Sequence, residues 1–231
     1  MAQQTPPRSG RERPIPVGVP RMSRGGRLGA SERKREAIVQ AALRLFLRDG
    51  FERTSVDSIA EEARVSKRTI YNHYGDKENL FLSVIGDAYD TLLAAFGQLI
   101  DQHLADVPGD AVAANIIAFA CDAALAAARS SDRAAVLRLM ISEAGHFPEL
   151  RVLQKQPRGI RWAIAERLTG LAARGLLDIS EPEEAADHLF SLTMGSVNNR
   201  SLFGAWQLSD DEIRRMATSG ARAFLRAYLP R

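Results

Sequence analysis

Apolar residues at helical spacing open the ordered part of the chain. Ile38, Ala41, Ala42, Leu45 and Phe46 fall on one face of a helix, and Gly50 is placed to end it. Val56, Ile59, Ala60 and Ala63 repeat the pattern over residues 55–63, with Ser55 available as the cap. Only Arg64 and Val65 then intervene before Ser66, which is placed to cap a third helix, with Val65 and Ile70 in the positions of a hydrophobic staple. Two short helices joined by so tight a turn are the signature of a helix-turn-helix.

The stripes continue. From Asp76, a candidate N-cap, Leu80, Phe81, Val84, Ile85, Ala88, Leu92, Phe96, Leu99 and Ile100 predict one long helix that stops before Val107-Pro108-Gly109. Its length makes it the mechanical link between two halves of the molecule. Further helices are predicted over residues 111–129, 132–144 and 149–174, the last with a kink at Pro157 and an end at Gly175. Ser180 with Glu183, and Ser209 with Glu212, have capping-box spacing and open helices over 181–202 and 210–229. With no strand-like alternation, the expected fold is all-α. It has about nine helices, a three-helix bundle at 31–77 followed by a helical bundle over 78–231.

Charge divides along the same line. Residues 1–80 hold 16 Lys and Arg against 10 Asp and Glu, net +6, whereas the remainder is net −3. A polyanion is the natural partner of the first segment alone. Residues 1–30 collect five prolines, five glycines and six arginines without hydrophobic periodicity, and read as a disordered basic arm able to follow phosphates or enter a minor groove. With one cysteine, Cys121, no intrachain disulfide can form, and a reducing cytoplasm is expected. No unbroken run of eighteen apolar residues points to a membrane.

The helix after Ser66 turns Lys67, Arg68, Thr69, Tyr71, Asn72 and His73 to its polar side, a set rich in donors for phosphate oxygens and purine edges. Arg68 can donate twice to guanine, Lys67 acts as a point charge, Asn72 suits an adenine edge, and Tyr71 suits a thymine methyl or a phosphate. His73 has a second reading as a half-buried residue bonded to a neighbouring carbonyl. Over residues 38–80 the chain resembles the DNA-binding domain of TetR-type transcriptional regulators. The likeness runs through Gly50-Phe51, Thr54-Ser55-Val56, Ile59-Ala60, Ala63, Val65-Ser66, Thr69, Tyr71, His73-Tyr74 and Asp76-Lys77-Glu78-Asn79-Leu80.

The resemblance implies phosphate contacts at Thr54, Ser55, Thr69, His73 and Lys77. It also implies release of a palindromic double-stranded DNA operator by a small, largely apolar effector held among the later helices. Phe96, Phe119, Met140, His146 and Trp162 are the candidate effector residues, with His103, Asn115, Arg138 and Asn198 as further polar candidates. The family forms homodimers through its last two helices, where Leu189, Leu192, Met216 and Phe224 are the candidates. No cofactor or metal is implied. The four histidines lack metal spacing and Cys121 has no nearby histidine, so the chain does not read as an enzyme. The rival is a helix-turn-helix regulator or activator that answers to a protein partner without any small ligand.

Overall fold

The computed structural model describes residues 29–150 and 159–230, and among these every regular element is helical. The elements are α1 (Ala30–Arg53), α2 (Val56–Ala63), α3 (Lys67–Tyr74), α4 (Lys77–Leu104), a 3₁₀ turn (Gly109–Ala111), α5 (Val112–Arg129), α6 (Ser131–Glu143), α7 (Ile160–Ala173), α8 (Pro182–Phe190), α9 (Ser196–Arg200) and α10 (Asp210–Tyr228). A π-helical turn at Ser191–Gly195 runs α8 into α9 as one rod, so the described residues form nine helices, the number expected. The basic arm and Pro157 lie outside the described residues.

Two hydrophobic cores account for the architecture. The first joins Ile38, Phe46, Ile59 and Ile70 from α1–α3 to Leu80, Phe81, Val84 and Ile85 of α4, and extends to Val136, Leu139 and Met140 of α6 and to Phe147. Phe51 and Phe81 each sit with ring centres 4.8 Å from that of Phe147. The second core takes the far end of α4 at Phe96, Ile100 and Leu104, together with α5, α7, α8, α9 and α10. The 28 residues of α4 therefore serve both cores, as its length predicts.

Local signals fix most helix ends. Ser55, Ser66 and Asp76 each cap their helix, accepting from the amides of Ser58, Thr69 and Asn79. Gly50, at φ 79°, breaks α1 near its end, a conformation that costs a glycine little. Two expectations need correction. The cap of α6 is Ser130, one residue earlier than the expected helix start implies, and α8 begins at Pro182 with no side-chain cap, so the box read at Ser180 and Glu183 does not form. A proline at the first helical position lacks an amide and has its φ pre-set for a helix, so Pro182 starts α8 without a side-chain cap.

Composition also understated two helices. Lys77–Leu104 and Gly109–Arg129 contain eighteen-residue windows of mean hydropathy 1.4 and 1.8, long and apolar enough by that measure to cross a membrane. Half of the second window is buried inside the bundle, where alanines let neighbouring helices approach closely.

Candidate nucleic-acid interface

The turn between α2 and α3 is built by the backbone. Arg64 ends α2 in the left-handed region at φ 54°, and the amide of Val65 reaches back to the carbonyl of Ala60 at 3.0 Å. Ser66 then starts α3, its Oγ accepting from the Thr69 amide at 3.1 Å and lying 2.8 Å from Thr69 Oγ1. Ile70 is the anchor. At 1% exposure it fixes the rotation of the eight-residue helix, and its burial is worth about 1.5–3 kcal/mol.

With that face pinned inward, Lys67, Arg68, Tyr71, Asn72 and His73 all project to the outside. Lys67 Nζ is 3.0 Å from the Asp57 carboxylate at the start of α2, and this bond holds the ammonium above its usual pKa. Arg68 has neither an ion pair nor a hydrogen bond among the described residues, so its full fork of donors is available. His73 is exposed, which removes its reading as a half-buried structural residue. Tyr74, by contrast, packs against the first core, and burial raises its hydroxyl pKa.

Two residues expected at phosphates are committed elsewhere. Thr54 is 2% exposed, and its hydroxyl donates to the carbonyl of Gly50 at 2.7 Å, closing the broken end of α1. Lys77 Nζ donates to the carbonyls of Thr54 at 3.0 Å and Glu52 at 3.3 Å and lies 4.1 Å from the centre of the Phe51 ring. Because Gly50 interrupts α1, its carbonyl and those after it lack regular helical partners, and these two side chains donate to them. Ser55, Ser66 and Thr69 remain near the surface beside the exposed face of α3.

Comparison with known proteins places the chain in a family. The model for bacterial regulatory proteins of the tetR family matches residues 38–84, and that for the AefR-like transcriptional repressor C-terminal domain matches 116–230. The solved flavonoid-responsive regulator FrrA is 30% identical, covering 86% of this chain and 98% of its own, with a TM-score of 0.65. The chain belongs to the TetR family of transcriptional regulators. A TetR-family regulator from Mesorhizobium loti MAFF303099 shares the fold at TM-score 0.77 and 26% identity, covering 88% of this chain and all of its own. The regulator TcmR of Streptomyces glaucescens is 40% identical over 63 residues, which is 27% of this chain and 28% of TcmR. TetR-family regulators bind DNA and function as dimers.

Within this TetR-family chain the candidate effector residues do not converge. Phe96 and Phe119 lie in the second core, whereas Met140 lies in the first. His146 is exposed, with Nδ1 3.2 Å from the Glu143 carboxylate, and Trp162 is also exposed. Of the additional polar candidates, His103 pairs with Asp122, Asn115 bonds the Ala111 carbonyl and Arg138 bonds the Phe203 carbonyl. Asn198 is buried and accepts from Arg133, a residue the sequence reading passed over. The missed signal is an arginine at i on the buried stripe Val136 and Met140, at i+3 and i+7.

The dimer candidates divide in the same way. Leu189 and Phe224 are fully buried within the subunit and cannot reach a partner. Leu192 and Met216 line a shallow open groove with Ser196, Ser219, Gly220 and Ala223. Helical spacing identifies apolar faces, but a helix in a two-layer contact has one turned to its own core and another outward.

Proposed function

We propose that this chain is a cytoplasmic, homodimeric DNA-binding repressor that occupies a palindromic operator and leaves it when a small, largely apolar effector binds among its later helices. The observation that carries the reading is the outward face of α3, with Arg68 unpaired within the described residues and rigidly presented by buried Ile70. In the major groove, Arg68 reads guanine through two parallel bonds, and Asn72 reads an adenine edge. Tyr71 touches a thymine methyl or a phosphate. Lys67 exchanges its exposed pair with Asp57 for the DNA backbone, a small loss because such pairs are worth under about 1 kcal/mol. Ser55, Ser66, Thr69 and His73 hold the phosphates, setting register without reading sequence.

The likeness of residues 116–230 to a repressor's C-terminal domain favours repression over activation. That FrrA is described as flavonoid-responsive supports a small organic effector. α6 touches both cores, which supports a coupling of the two sites through it. Its first turn meets the second core where Arg133 lies over Phe96, and its last turn enters the first, where Glu143 Oε1 faces the Phe51 amide at 3.5 Å. An effector with different affinities for two positions of α6 shifts the separation of the paired α3 helices. Two-fold symmetry through the groove at Leu192 and Met216 makes the operator an inverted repeat.

Selection of bound sequences from random DNA tests the proposal. The expected result is an inverted repeat with half-sites about one helical turn apart or a multiple of it. Enrichment of single, unpaired sites, or of none, overturns the reading.

A further inference from the structure

Arg133 and Glu143 are the buried charged residues of the described chain. Glu143 has the Phe51 amide and His146 for company. Arg133, at 7% exposure, has no carboxylate within ion-pair distance among the described residues. Its two hydrogen bonds go to neutral acceptors, the Ala127 carbonyl at 3.3 Å and Asn198 Oδ1 at 3.2 Å, and both leave from Nη1. The Nε and Nη2 edge stays uncommitted among the described residues. Burial lowers the guanidinium pKa to about 10. A buried cation normally has an ion partner or is replaced by an apolar residue.

The surroundings suit an organic molecule. The Phe96 ring centre is 5.7 Å from the guanidinium carbon. The Tyr89 hydroxyl is raised by burial and lowered by both Arg161 and Arg133, so two cations act on one partly buried phenol. Arg161 lies 4.7 Å over the Phe190 ring and is itself neutralised by Asp187 at 2.8 Å. Of these two cations, Arg133 is the one with no counter-charge among the described residues.

Building on the effector reading above, we infer that the effector is an organic carboxylate, its two oxygens accepting from Nε and Nη2 of Arg133 and its apolar body lying along Phe96 and Tyr89. A planar guanidinium offers a carboxylate two parallel donors, and the largely buried position of the side chain strengthens both bonds. Asn198 holds Nη1 so that the free edge keeps its direction.

The test is thermal-shift titration of the full chain with benzoate, trans-cinnamate and decanoate, each beside its primary amide. At least one acid is expected to raise the melting temperature and to bind roughly tenfold or more tightly than its amide. Arg133→Met should abolish that shift while melting no lower than the parent without ligand, because a buried unpaired charge is removed. Arg133→Lys keeps the charge without the fork and should retain a weakened response; if Arg133→Met shows no helical circular dichroism, Arg133→Lys carries the comparison. Equal binding of acid and amide, undiminished acid binding by either variant, or no response to any acid overturns the inference. An acid that binds through Arg133 but leaves selected DNA bound supports the anion site and overturns the induction reading instead.

Discussion

The Lys77 ammonium sits 4.1 Å above the Phe51 ring and donates to the carbonyls of Thr54 and Glu52. A lysine in the first turn of a helix meets unfavourable helix-dipole charge, yet this one is stabilised by closing the end of α1 beyond Gly50. Its work joins α1 to α4 inside the small domain. Lys77→Ala is therefore expected to cost about 1–2 kcal/mol of stability, from charge-assisted bonds and the cation–π contact. Thr54→Ala should cost a similar amount, about 1–2 kcal/mol, through the loss of a buried hydrogen bond. Thermal melts measure both. Because Lys77 bonds the Thr54 carbonyl, the two losses should not add. A fall in the salt dependence of DNA binding with no change in melting would return Lys77 to the phosphates.

Arg68→Ala is expected to relax base preference at one position per half-site, costing about 1–3 kcal/mol of discrimination. Asp57→Asn should do the reverse of a specificity change. It frees Lys67 and removes a negative charge beside the DNA face, raising affinity for all sequences, most at low salt. Binding to a randomised half-site library at two salt concentrations separates the patterns. Identical profiles for the two variants would contradict the assigned roles.

Gly220 meets the π-helical turn so closely that an added Cβ would lie 2.0 Å from the Leu192 carbonyl oxygen and 3.2 Å from Thr193 Cγ2. A backbone atom cannot rotate away. Gly220→Ala must push α10 off the α8–α9 rod, at a cost of about 1–3 kcal/mol or more, and displace Leu192 and Met216 along the groove. Lower melting together with a shift from dimer to monomer in sedimentation is the expected pair of results. Unchanged melting would show that the helices have room to separate.

Asp87, part-way along α4, has its carboxyl pKa raised, mainly by burial, with Asp90 adding to the rise and Arg35 opposing it. The folded state therefore holds this proton more tightly than the unfolded chain. At neutral pH the charged form costs stability, and the cost disappears as pH falls through the raised folded value toward the ordinary aspartate value of about 3.9. Asp87→Asn should melt above the parent at neutral pH, and the gap should close on acidification. A gap that stays constant from neutral to acid pH would assign the effect to packing.

The helix-turn-helix was readable because its signals are short-range. Ser55, Ser66 and Asp76 cap their helices whatever surrounds them, and Ile70 must point inward from a helix so short and polar. The effector and dimer residues were not readable in the same way. Phe96 and Met140 look alike as apolar positions but belong to different cores, and Leu189 and Leu192 lie three residues apart, one inside the subunit and one outside.

What the chain's order of residues determined alone was the all-α class, the capped three-helix head and the long α4, all consequences of periodicity and caps that act within a few residues. Tertiary packing decided which charges are free. It locked Lys77 onto the broken end of α1, left Arg68 exposed and carried Arg133 inward with no counter-ion among the described residues. The reason is that pairing and desolvation depend on neighbours distant in sequence, brought near only when both cores close.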